Sequence, residues 1–197
     1  MSKLSTAGVL IALAVATACG GDSPTQIQKT TGDLHFLKLS TAAPALQSTT
    51  VSFYAIRGVD SEIRVRFQNG EDFLRFRVFA NSLALRPNGT PIATGDSVLI
   101  TITITDPTKL AADFQPAGLK FSPSAPARLQ FEFGEADKDL NDDGVVNGAD
   151  ASLIPQISTW RQESAGAPWV KVNSVVEIEL NEVQASIFGF TGYALAY

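Results

Sequence analysis

The sequence predicts an all-β fold: an antiparallel β-sandwich interrupted by one acidic loop and a short helix. Three observations carry that prediction. Apolar and polar residues alternate with period two in run after run, rich in β-branched and aromatic types. Turn signals separate those runs at short spacing. One stretch near residue 140 abandons the alternation for a cluster of acids.

The composition is that of a globular chain: 197 residues, 45% apolar, 18% charged and 9% aromatic. Fifteen basic against twenty acidic residues give a net charge of −5. Phosphate neutralisation needs a basic surface, so nucleic acid is not an expected partner. One His and one Cys leave no disulfide framework and no zinc-finger or iron–sulfur ligand set.

Residues 1–18 read as a secretory signal. Lys3 gives a positive start, and Gly8 to Ala18 form an apolar run too short to span a hydrocarbon core of about 30 Å. Ala16-Thr17-Ala18 fits a small-residue cleavage site, and Cys19, the sole cysteine, follows it directly. Ala16-Thr17-Ala18-Cys19 resembles the lipobox of bacterial lipoproteins, with Ala16 where Leu is usual. That resemblance implies lipidation of Cys19. It also implies a place in the bacterial cell envelope, on the outer membrane or cell surface, with the membrane itself as partner. Residues 19–32 are small and polar and read as a flexible tether.

The sandwich is expected over 33–197. VSFYAI (51–56), EIRVRF (62–67), FLRFRVF (73–79), SVLITITIT (97–105), RLQFEF (128–133), VVEIEL (175–180) and GYALAY (192–197) read as strands. Asn69-Gly70, between two of these runs, predicts a tight type I′ hairpin, because that turn needs positive φ at both central residues. Residues 135–166 read as an insertion between strands, with strand pattern resuming at Trp169.

Within the insertion, Asp139-Leu140-Asn141-Asp142-Asp143-Gly144-Val145-Val146-Asn147-Gly148-Ala149-Asp150 matches the template D-x-[DN]-x-[DN]-G-x₅-E, with Asp in the closing position. Calcium takes six to eight hard oxygen ligands, and this spacing supplies them. Asp139, Asn141 and Asp143 occupy positions 1, 3 and 5. Gly144 makes the bend, Val145 offers its carbonyl, Asn147 stands at position 9, and Asp150 closes the shell. Val146, at position 8, is expected to pin the loop to the core. DLNDDGVVNGADASLI resembles the loop of a dockerin repeat, a calcium-binding module of cellulosomal enzymes. The resemblance implies the ligand set Asp139, Asn141, Asp143, Val145, Asn147 and Asp150. A dockerin carries two such repeats and this chain shows one. Pro155 also demands a short or kinked helix after the loop.

The runs FRVFANSLALRPNGTPIATGDSVLITIT, PAGLKFSPSAPARLQFEF and FGFTGYALAY are similar to the ZU-type β-sandwich domain of ankyrins and netrin receptors. Some of those domains cleave themselves at His-Phe-Ser. Gly189-Phe190-Thr191 stands at that place here, so the resemblance does not extend to self-cleavage.

Arg64, Arg66, Arg75 and Arg77 share one parity about the Asn69-Gly70 turn. The favoured reading is a solvated face whose arginines pair with Glu177 and Glu179 on a neighbouring strand; an anion-binding face is the alternative. Glu177 and Glu179 as a hydrolytic carboxylate pair and His35 as a catalytic base both lack supporting motifs, and Trp160 and Trp169 read as packing. The expected function is non-enzymatic: a calcium-binding lipoprotein, a binding or structural module at the membrane surface with a protein or polysaccharide partner. An accessory, dockerin-like module of a polysaccharide-degrading system is the alternative.

Overall fold

The computed structural model describes residues 26–197, so the signal segment and Cys19 lie outside the described residues. The strands are β1 (Gln28–Lys29), β2 (Thr50–Ile56), β3 (Ser61–Arg66), β4 (Asp72–Val78), β5 (Leu83–Leu85), β6 (Ser97–Thr103) and β7 (Ala111–Gln115). They continue with β8 (Lys120–Phe121), β9 (Ala127–Glu132), β10 (Ser158–Gln162), β11 (Trp169–Lys171), β12 (Ser174–Glu177), β13 (Glu182–Ile187) and β14 (Gly192–Ala196). All pairings are antiparallel. One sheet has the order β1-β11-β10-β14-β7-β6-β2 and the other β12-β13-β9-β4-β3; β5 and β8 form a small ribbon. The all-β sandwich is therefore the fold.

Period-two alternation builds the core. Leu74, Phe76 and Val78 of β4, and Leu129 and Phe131 of β9, point at Ile100 and Ile102 of β6, Phe114 of β7 and Tyr193 of β14. All are buried. Phe76 sits 5.3 Å from Phe114 and 5.5 Å from Phe190, both in tilted or edge-on geometry, which favours aromatic pairs over a flat sandwich. A second, smaller cluster lies on the outer face of the larger sheet. Trp160 and Trp169 pack there with Leu34, Ala194 and Ala196 under the N-terminal segment. The Trp160 indole donates to the Ala196 carbonyl at 3.1 Å.

Four sequence expectations change. Strand structure resumes at Ser158, not Trp169: β10 lies inside the stretch read as insertion, between β11 and β14. Its two faces are both covered near Ser158–Trp160, so no alternation marks it. VVEIEL is a strand only to Glu177; residues 178–180 form a 3₁₀ turn ending at Asn181, which has φ +53°. The hairpin at Asn69-Gly70 has a three-residue loop. Gly70 alone has positive φ (+92°), and its N–H donates to the Phe67 carbonyl at 3.0 Å. Residues 28–33, at the end of the stretch read as tether and the start of the sandwich, hold β1 and a 3₁₀ turn over Thr31–Asp33 against the larger sheet. Among the described residues no helix is long and apolar enough to cross a membrane.

Candidate metal loop and its surroundings

The acidic loop leaves β9 and returns through a one-turn helix, Gly148–Ala151, and a 3₁₀ turn, Ile154–Gln156, into β10. Pro155 fits because it stands in the first turn of the 3₁₀ segment, where its missing N–H costs nothing. The loop's start is stitched to the sandwich: Ser40 and Asp137 N–H groups donate to the Glu135 and Lys38 carbonyls at 2.9 Å each.

Inside the loop, side-chain oxygens turn inward onto backbone amides. Asp139 accepts from the N–H groups of Asp143 (3.1 Å) and Gly144 (2.7 Å). Asn141 Oδ1 accepts from Asp143 N–H at 3.1 Å, and Asp143 Oδ1 from Val145 N–H at 2.8 Å. Asp150, the buried member of the set, reaches back across the loop. It accepts from Asn141 N–H at 3.2 Å and from Asn147 N–H at 2.8 Å. The Asn147 amide lowers the Asp150 carboxyl below its ordinary range, with Asn141 adding to the effect. Gly144 has φ +84° and Asp142 φ +57°, the bends that close the ring.

The donor set is all oxygen, which suits a hard divalent cation and not a soft one. Two contacts stand against immediate coordination. Asn147 Nδ2 donates to the Val145 carbonyl at 2.9 Å, and Asn141 Nδ2 to Asp143 Oδ2 at 3.0 Å. The Asn147 oxygen accepts from Ala149 N–H at 2.7 Å, so ligation by Asn147 requires that oxygen to turn into the loop. Among the described residues no three His, Cys, Asp or Glu side chains converge as a metal cluster.

Outside the template, Lys38 and Tyr197 hold the loop. Lys38 Nζ donates to both oxygens of Asp142, at 2.7 and 2.8 Å, and that bond raises the Lys38 ammonium above its ordinary range. The Tyr197 hydroxyl donates to the Leu140 carbonyl. Its ring stacks on His35 at 5.3 Å, which accounts for the chain's one His as a packing partner. Lys38 lies over a hundred residues from the loop in sequence, and no local pattern announces it. Val146 departs from its expected role: it is 63% exposed, at the mouth of a cavity of about 200 Å³ lined by Leu37, Phe133, Leu140 and Ile154.

The arginine face is paired, but not with Glu177 and Glu179. Strand β12 carries Glu177, and β13 and β9 separate it from β4. The partners lie closer in sequence or register. Asp72 contacts Arg64 at 2.9 Å, Arg66 at 2.9 Å and Arg75 at 3.3 Å. Arg75 also meets Glu132 at 3.3 Å and Glu182 at 3.7 Å, and Arg77 meets Asp60 at 2.7 Å. Burial, with the Asp72 and Glu182 charges added, pushes the Glu132 carboxyl up to about 6. The bulge at Val65–Arg66, which brings Asp72 opposite Arg66, is what period-two reasoning could not see.

No family model, curated protein or solved structure matches this chain.

Proposed function

We propose that the protein is a lipid-anchored protein of the bacterial envelope whose β-sandwich carries one calcium-binding loop, and that it serves as a binding or structural module without catalysis. The observation that supports the loop reading is the reach of Asp150. Its carboxylate spans from position 12 to the amides of positions 3 and 9, the closure that a ligand shell of this spacing requires. Asp139, Asp143 and Asp150 then supply carboxylates, Asn141 and Asn147 their amide oxygens, and Val145 its carbonyl. When bound, calcium would supply the positive charge that lets those oxygens share one point. The loop joins β9 to β10 in opposite sheets, so ordering it stiffens the sandwich as well as itself.

Titration calorimetry with calcium is the test. Binding in the micromolar to millimolar range is expected, with a rise in melting temperature. A hundredfold excess over Kd corresponds to about 2.7 kcal/mol of added stability. Magnesium, which demands tighter octahedral geometry, should give a smaller rise. Asp139→Ala and Asp143→Ala should abolish the rise while leaving the β-sheet circular dichroism intact. No binding heat at millimolar calcium would end the proposal. The anchor has its own test: native protein partitions into detergent, Cys19→Ser does not, and an unmodified Cys19 in the mature protein's mass would reduce the reading to simple secretion.

A further inference from the structure

We propose that the groove where the chain enters the fold rests on the membrane surface; this rests on the lipid-anchor reading of Cys19. The groove, of about 690 Å³, is bordered by Gln26 and Ile27 ahead of β1, by Pro155 and Ile157, and by the segment running from β11 through β12. Its apolar lining includes Ile27, Pro155, Val172, Val176 and Ile178. Ile27 is 56% exposed and Ile178 50% exposed, so two large aliphatic side chains stand in water at its rim.

Charge and position point to a lipid surface as the occupant. Among the described residues no acid lines this groove, whereas Lys171 does. Alternation along β12 places Val176 on the groove side and Glu177 on the other. An aliphatic floor with one lysine, Lys171, at its edge and the amide-bearing residues Gln26 and Asn173 beside it is chemistry that matches the boundary between acyl chains and headgroups. The chain outside the described fold supplies the geometry. Cys19 precedes Gln26 by seven residues, which fully extended reach at most about 25 Å. The lining begins at Gln26 itself, so acyl chains on Cys19 would hold the groove within that distance of the bilayer. At such a tether length even a weak surface contact is populated, because the local concentration is in the millimolar range.

The test uses full-length acylated protein in phosphatidylglycerol–phosphatidylethanolamine vesicles, with Ile178→Cys carrying an environment-sensitive fluorophore. Phe188→Cys is the control: Phe188 is equally exposed, at 51%, but follows the far end of β13. Brominated acyl chains should quench the 178 label roughly twofold, as for a group at the headgroup–acyl boundary, and leave the 188 label unchanged. Absence of quenching at 178, or equal quenching at both sites, overturns the inference when mass spectrometry shows Cys19 acylated. An unacylated Cys19 overturns the anchor reading and this inference with it.

Discussion

Asp72→Asn is the most informative single change outside the loop. The Asp72 side chain is 7% exposed and holds three guanidinium groups on the outer face of the smaller sheet. Removing its charge leaves Arg64 and Arg66 free to turn into water, since they are 35% and 46% exposed, so each lost pair costs under about 1 kcal/mol. Arg75 is different. It is 25% exposed, and among the described residues its Nε lacks a partner and Glu132 and Glu182 are the acids left to it. Weakening one charge-assisted contact there costs about 1–2 kcal/mol. Together the loss should be about 2–3 kcal/mol, at or below the lower end of the roughly 3–5 kcal/mol cost of stripping one partner from a fully buried pair. In a fold of this size that lowers the melting temperature by roughly 5–10 °C. Urea unfolding followed by tryptophan fluorescence measures it. Glu163→Gln serves as the exposed reference, its contact with Arg161 at 2.8 Å being worth under about 1 kcal/mol. Equal effects of the two substitutions would refute the argument that Asp72 organises this face.

Glu132 makes a pH prediction of definite sign. Its folded pKa, raised to about 6, lies above the ordinary 4.5, so the folded state binds the extra proton and stability falls as pH rises through that window. Glu132→Gln should flatten the pH dependence of unfolding between about 4.5 and 6; an unchanged slope would assign it to another group. Tyr197→Phe removes the hydroxyl that grips the Leu140 carbonyl, and should lower stability by about 0.5–1.5 kcal/mol. Amide exchange should quicken in residues 139–147 beyond the global change, and uniform acceleration across the chain would contradict the local role.

The legible part of this fold is what local periodicity encodes. β4 and β6 announce themselves because aromatic and β-branched residues face one core and polar residues face water. β10 is hidden for the opposite reason: Trp160 is covered by the N-terminal segment on one side while Thr159 is buried on the other. Val183, Ala185 and Ile187 do alternate in β13, and the pattern could have been found there despite the small Ala. In the loop, local spacing announced the bend at Gly144, which has φ +84°, but it did not single out Asp142, whose carboxylate pairs with Lys38. It could not show that two asparagine amides turn nitrogen, not oxygen, toward Val145 and Asp143. Nor could it find Lys38 and Tyr197, whose approach depends on how distant strands assemble.

The placement of β14 has a consequence for how the molecule comes together. It is the last strand described, yet it lies in the middle of the larger sheet, hydrogen-bonded to β10 on one side and β7 on the other. Until residues 192–196 are available, that sheet exists as two halves with open edges facing each other, and closing it needs contacts between segments far apart in the chain. Synthesis runs from the other end, so a growing polypeptide has no complete larger sheet to settle into before residues 192–196 emerge. A truncation of even this short strand would therefore leave two exposed strand edges instead of a smaller stable protein.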